Sequence, residues 1–338
     1  MLGLTARIGP FLQTYGVLLA FVLLFVFNAI WQPDLFLKPE NLRNLLNQNA
    51  AVGMVAVGMT LVIIGGGIDL SVGSLMAVAA ALGVTAMNDA ITGGKPEGIA
   101  VLIAAAVCIG AATLGGLING LLVTVGKVTP FVATLAGLVG YRSLALVLAD
   151  GGEIRSKSAT VFPAIGQGGI NIPFLNDAQG HALELNYPIL GFVAVAVFGG
   201  LILRRSVLGR NITAVGANEQ AAYLAGVNTN RVKIWTYVLV GLFTGIATLG
   251  LAGRMNSVGS SGHGLYYELD AIAAVAIGGT SLAGGYGRIW GTVVGVLIIG
   301  MISNMLVASP VSPYMQGFVK GAIILLAVLI QRGQSERA

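Results

Sequence analysis

The stretch GIAVLIAAAVCIGAATLGGLINGLLVT, Gly98 to Thr124, carries no charge and no proline. It is long enough to cross the hydrocarbon core of a bilayer, which takes about 20 residues of helix. Apolar runs of this kind recur at 14–31, 48–66, 71–88, 130–149, 187–203, 232–252, 271–284, 289–308 and 314–331, so ten spans are expected and no soluble domain is left over. Composition agrees: of 338 residues 56% are hydrophobic and 9% charged, against about 25% charged in soluble domains. The expected fold is an all-α integral membrane protein, a polytopic bundle of about ten transmembrane helices forming one domain over 1–338.

Glycine is abundant, 50 residues, and in a bilayer small residues let helices approach closely. The pairs Gly116/Gly120, Gly241/Gly245 and Gly291/Gly295 read as such packing positions. The single cysteine, Cys108, excludes an internal disulfide and a cysteine-based metal cluster. The first run, from Tyr15, has no small-residue cleavage motif behind it and reads as a retained helix.

The formal charge of +5 raises nucleic acid and anionic membrane lipid as partners, but its distribution reads as topology. An even span count puts both termini on one side. That side's loops hold Lys127, Arg204, Arg205, Arg210, Arg231, Lys233 and Arg288, and the opposite loops hold most of the acidic residues, which makes the basic side the cytoplasm and both termini cytoplasmic. Two loops stand out. The outer one, 150–186, rich in Gly, Pro and Asn, reads as a folded cap or a short re-entrant piece. The inner one, 204–231, holds GANEQAAYLAGVN, Gly216 to Asn228, a polar pause flanked by basic residues. IIGGGIDLSVGSLM and AIGGTSLAGGYGRIW also echo each other faintly, which leaves an internal repeat open.

No phosphate-binding G-x-x-x-x-G-K-[ST] string occurs, so ATP hydrolysis is not expected of this chain alone. Its two histidines, His181 and His263, support neither a zinc site nor a nucleophilic triad. In the polar pause, Asn218 is placed to cap a helix, Glu219 to put negative charge at its positive end, and Gly226 to end it in the left-handed region. The expected helix, Glu219 to Ala225, is too short to stand alone in water. Ala221 and Ala222 keep its backbone approachable, so it reads either as a docking element or as a loop that happens to be helical.

VGMTLVIIGGGIDLSVGSLMA, NGLLVTVGKVTPFVATLAG, LGRNITAVGANEQAAYLAGVNTNRVKIWTYVLVGL and YYELDAIAAVAIGGTSLAGGYGRIWGTVVGVLI, in this order, resemble the permease subunits of ATP-binding-cassette sugar importers of the ribose, galactose, arabinose and xylose group. The resemblance runs from about Asn41 to Ile330 and implies a type II importer-like bundle. It further implies that Gly216, Asn218, Glu219, Ala221, Ala222, Gly226 and Val227 form the coupling helix that docks on an ATPase subunit. The implied partners are a second permease copy, two ATP-binding subunits and a periplasmic or lipid-anchored sugar-binding protein. ATP and Mg would be bound by the ATPase, with no cofactor or metal in this chain, no catalysis of its own and no nucleic acid. The implied location is the bacterial cytoplasmic membrane.

Polar residues beside apolar runs are functional candidates because an ionisable group there is costly unless paired or facing a cavity. Asp69 and Ser71 either cap the next helix or line a pathway. Asn119 meets a neighbouring helix or a passing hydroxyl. Glu268 and Asp270 cap a helix or pair with Arg254, and Arg142 and Lys320 snorkel to the interface. The three tryptophans, Trp31, Trp235 and Trp290, fall near span ends as interfacial anchors. Outside the importer reading stand a secondary transporter with Asp69, Glu268 or Asp270 as proton carriers and a passive channel, and within it stands the same importer carrying branched-chain amino acids or nucleosides.

Overall fold

The computed structural model describes residues 2–176, 182–309, 312, 315, 317–319, 321, 322 and 325. The expected tenth span, 314–331, with Lys320, and the residue His181 lie outside the described residues or are only partly covered by them.

The chain runs α1 (Leu2–Trp31), α2 (Pro33–Phe36), α3 (Pro39–Ile64), α4 (Val72–Thr92), α5 (Glu97–Thr124), α6 (Pro130–Leu148), β1 (Glu153–Arg155), α7 (Val161–Gln167), β2 (Gly169–Asn176), β3 (Ala182–Asn186), α8 (Tyr187–Arg205), α9 (Val207–Ala217), α10 (Glu219–Leu224), α11 (Thr229–Met255), β4 (Ser257–Gly259), α12 (Tyr267–Ile277) and α13 (Ile289–Ala308). Proline opens α3, α6 and α8 in the first turn, where its missing N–H costs nothing and its fixed φ suits the helix. Among the described residues seven helices are long and apolar enough to cross a membrane: α3, α4, α5, α6, α8, α11 and α13. The apolar part of α1, Gly16–Trp31, is shorter.

One expected span is not a span. The run 271–284 takes in only the later part of α12, a helix of 11 residues in all, which at 1.5 Å per residue is about 16 Å and roughly half a hydrocarbon core. Gly278 caps it and Gly279, at φ 81°, turns the chain away. The apolar letters that follow, in TSLAGGYG, belong to a turn-rich link to α13.

Over its apolar stretch α3 is the most buried of the seven membrane-length helices, and it packs against α8, α11, α12 and α13 around Met54, Val55, Met59, Leu61, Tyr237, Val240, Phe243 and Ala274. The expected small-residue contacts fall where helices touch. A Cβ on Gly116 would collide with the Tyr237 carbonyl and the Gly241 backbone on α11, and one on Gly295 with the Ala274 carbonyl on α12. Cys108 is buried, its thiol donating to the Ala79 carbonyl (3.3 Å).

Among the described residues of 150–186, β2 and β3 pair antiparallel, and β1 pairs antiparallel with β4, with Ile154 opposite Val258. Glu97, at the start of α5, receives hydrogen bonds from the Ser158 hydroxyl, the Thr160 hydroxyl (3.0 Å) and the Thr160 and Val161 N–H groups (both 2.9 Å), and so caps α7 from another helix. Asn88 holds the chain just before, donating to the Arg155 carbonyl and accepting from the Lys157 N–H, both at 2.8 Å.

Candidate functional site

Two places concentrate polar side chains. The first is the break between α3 and α4. Asp69 is fully buried. Its Oδ1 accepts from the Ser71 N–H (2.9 Å) and hydroxyl (2.7 Å), and its Oδ2 from the Asn119 amide (3.3 Å), which also donates to the Ser71 hydroxyl (2.8 Å). Tyr141 donates to the Gly115 carbonyl (3.2 Å), and Tyr237 to the Ile68 carbonyl (3.1 Å). Side chains from α5 and α11 therefore hold the Ile68–Ser71 corner, because a carboxylate removed from water must find donors within the protein. Asp69, Ser71 and Asn119 present no surface in this conformation. Asp69 bonds the helix-preceding residue rather than capping α4 itself, whose N-cap Ser71 makes no side-chain cap bond.

Beside this corner runs the link from β4 to α12. Arg142 on α6 does not snorkel. Its guanidinium turns inward, and one nitrogen, Nη1, donates to the carbonyls of both Ser260 (3.0 Å) and His263 (2.9 Å). His263 is buried with neither ring nitrogen hydrogen-bonded. Burial, and then the positive charge of Arg142, push its pKa down to about 4. Glu268 is buried near Gly73, at the start of α4, and Asp270 is half-buried. The N-cap residue of α12, Tyr266, lies at φ 64° in the left-handed region and its own side chain makes no cap bond.

The second place is the α9–α11 corner, built from three successive caps. Ser206 accepts from the Gly209 N–H (3.0 Å), Asn218 from the Ala221 N–H (2.9 Å) and Asn228 from the Arg231 N–H (3.0 Å). α10 is one residue shorter than expected, with Ala225 as its C-cap. Gly226 follows at φ 86°, and the Val227 N–H closes the turn on the Ala222 carbonyl (3.0 Å). Glu219 pairs with Lys233 at 2.6 Å, which fixes α10 to the first turns of α11. The two alanines differ. Ala221 is exposed, whereas Ala222 is buried with Ile64, Ile212, Val215 and Val232.

The outward face of α10 instead carries Tyr223, 68% exposed, and Leu224, 78% exposed. Sequence reasoning passed over both, although they are the two largest apolar residues in the polar pause. At the base of α10, Gly216 lies so close to the end of α3 that a Cβ would collide with the Ile64 carbonyl. The same carbonyl accepts from the Gly285 N–H (2.9 Å), in the link between α12 and α13. Three broken segments thus meet at one backbone oxygen.

Two shallow cavities flank this corner, of about 340 Å³ and about 460 Å³. Among the described residues no group of His, Cys, Asp and Glu could hold a metal.

A multi-pass bundle with interrupted helices at buried polar corners, and a short helix projecting from one end, defines a membrane transport protein. The chain belongs to the family described as branched-chain amino acid transport system / permease component, whose model matches residues 41–328. It is 41% identical over 333 residues to the ribose import permease protein of Bacillus subtilis (strain 168), covering 98% of this chain and 95% of that one. Identity is 39% over 313 residues to the ribose import permease protein of Escherichia coli (strain K12), covering 93% and 92%. It is 35% over 320 residues to the L-arabinose ABC transporter permease protein of Azospirillum brasilense, covering 94% and 87%.

Proposed function

We propose that this chain is the membrane-spanning subunit of an ATP-binding-cassette importer that carries a monosaccharide, a pentose or hexose, across the bacterial cytoplasmic membrane by alternating access. The cargo reading rests on relatives named for ribose and L-arabinose over nearly the full length of the chain, although the family description names amino acids. Two copies of the permease, two ATP-binding subunits and a sugar-binding protein make up the transporter. ATP and Mg belong to the ATPase subunits, and this chain translocates without catalysing.

The observation that carries the coupling role is the geometry of α10. A short helix with a buried Ala222 and an exposed Tyr223 and Leu224 is anchored by Asn218, Glu219 and Gly226, and its base at Gly216 abuts the end of the central helix α3. A partner gripping Tyr223 and Leu224 would move α3 and the α12–α13 link together. The segment 204–231 is the cytoplasmic coupling loop in this reading, and 150–186 the periplasmic face for the binding protein. Asp69, Ser71 and Asn119 hold the break between α3 and α4, and Glu268 and Asp270 stand at the half-helix beside the pathway.

Cross-linking tests the coupling role. Cys108 is buried, so Leu224→Cys offers one accessible thiol. It is expected to cross-link to an ATPase subunit in membranes, and less in the nucleotide state that releases the helix. No cross-link in an assembled complex would overturn the assignment.

A further inference from the structure

We propose that the groove between α9 and α11 is a binding site for one anionic phospholipid headgroup. The groove, about 340 Å³, is lined by Leu208, Asn211, Asn228, Arg231, Val232 and Trp235. Its polar lining can donate through the Arg231 guanidinium and the amide groups of Asn211 and Asn228. The Asn228 side-chain oxygen is engaged by the Arg231 N–H, which leaves its amide group to donate. No acidic side chain lines the groove. Among the described residues Arg231 has no ion-pair partner, and neither do Arg204 and Arg205 at the end of α8 or Arg210 on α9, while Lys233 is neutralised by Glu219. Unpaired positive charge therefore sits on α8, α9 and α11, the last two of which form the groove.

The other wall is apolar: Leu208, Val232 and the Trp235 ring. α8 ends and α11 begins here, and both are of membrane-crossing length, so the groove opens at the boundary between headgroups and hydrocarbon. Trp235, 44% exposed, lies within two turns of the start of α11, where tryptophan anchors at interfaces. A phosphodiester matches the donors, and the glycerol and first acyl carbons match the apolar wall. A free phosphate would leave Trp235 and Val232 uncovered, and basic pockets between membrane helices favour lipid headgroups. The groove shares the 204–231 segment with the proposed ATPase-docking helix, but the test below reads lipid retention by the permease alone and so fails or succeeds separately from the coupling assignment. The site needs only that α8 and α11 cross the membrane, and its occupant ties the base of α10 to the membrane surface.

The test uses the purified full chain, stripped of lipid and incubated with phosphatidylglycerol or phosphatidylcholine of the same acyl chains, then analysed by native mass spectrometry. One phosphatidylglycerol is expected to be retained in preference to phosphatidylcholine. Arg231→Gln and, separately, Asn211→Leu are expected to lower its retention about tenfold, the loss of one charge-assisted or neutral hydrogen bond. Lys95→Gln, on the exposed link between α4 and α5, is expected to leave it unchanged. Equal retention of the two lipids overturns the proposal, as does retention undiminished in Arg231→Gln. Complete displacement by inorganic phosphate would make this a free-anion site and overturn the lipid assignment.

Discussion

Asp69 keeps both carboxylate oxygens occupied, one by Ser71 and one by Asn119. Asparagine cannot reproduce this, because its amide would face the Asn119 amide, donor against donor. Asp69→Asn is expected to cost about 1–3 kcal/mol, the penalty of an unmade buried hydrogen bond, measured as a lower melting temperature in detergent with uptake per folded molecule retained. Lost uptake with unchanged melting would instead mark the charge as part of transport.

At His263 the expectation concerns pH. The folded state keeps the ring neutral down to about pH 4, whereas an unfolded chain protonates it near 6.5. Between those values the unfolded state binds the extra proton. The neutral buried ring's contribution is therefore complete above about 6.5, declines as pH falls, and is gone near 4. The loss amounts to about 3 kcal/mol. His263→Gln should flatten stability between pH 6.5 and 4, and an unchanged slope would place the titration elsewhere.

At the scale of elements, α10 shows what a sequence can and cannot disclose. Asn218, Glu219 and Gly226 were legible because capping is local chemistry, and the Asn218 cap and the left-handed Gly226 are where that chemistry requires them. The orientation of the helix was not legible. Whether Ala221 or Ala222 faces inward depends on how α9 and α11 fold back, bringing Ile212 and Val232 together with Ile64, which is remote in sequence. Gly226→Val forces a β-branched residue into the left-handed region, at about 1–2 kcal/mol. It should lower sugar-stimulated ATPase activity while insertion into the membrane stays normal; full stimulation would count against α10 as the coupling element. Ala221→Trp should act at the docking surface alone, whereas Ala222→Trp should also lower the melting temperature, because it overfills the pocket beneath α10.

The half-helix α12 was the clearest misreading. Its apolar residues and those after it form one hydrophobic run in sequence, and window hydropathy does not register that Gly278 and Gly279 end the helix. Gly67 N–H bonds to the Val62 carbonyl (2.9 Å) and Thr280 N–H to the Val275 carbonyl (3.2 Å), so α3 and α12 stop with the same six-residue turn, but α4, α5, α6 and α10 end in that turn too, and it does not mark a repeat. Arg142 was misread for a related reason. Its partners are backbone carbonyls of the β4–α12 link, and no side-chain pattern announces them.

For the whole molecule, membrane class was legible from composition, and seven of the expected spans coincide with helices of membrane-crossing length. The fold supplies what the sequence lacked: α3 as a central helix whose end touches both the base of α10 and the α12–α13 link. The central claim is that a partner's ATP cycle reaches this bundle through α10.

The most direct test reconstitutes the chain with its ATPase and binding-protein partners in proteoliposomes, and measures ATP hydrolysis and uptake across pentoses and hexoses. One sugar is predicted to stimulate hydrolysis and enter the vesicles, and both effects should be lost in Leu224→Glu while the protein remains folded. Uptake by the permease alone, driven by a proton gradient and unaffected by Leu224→Glu, would contradict the account.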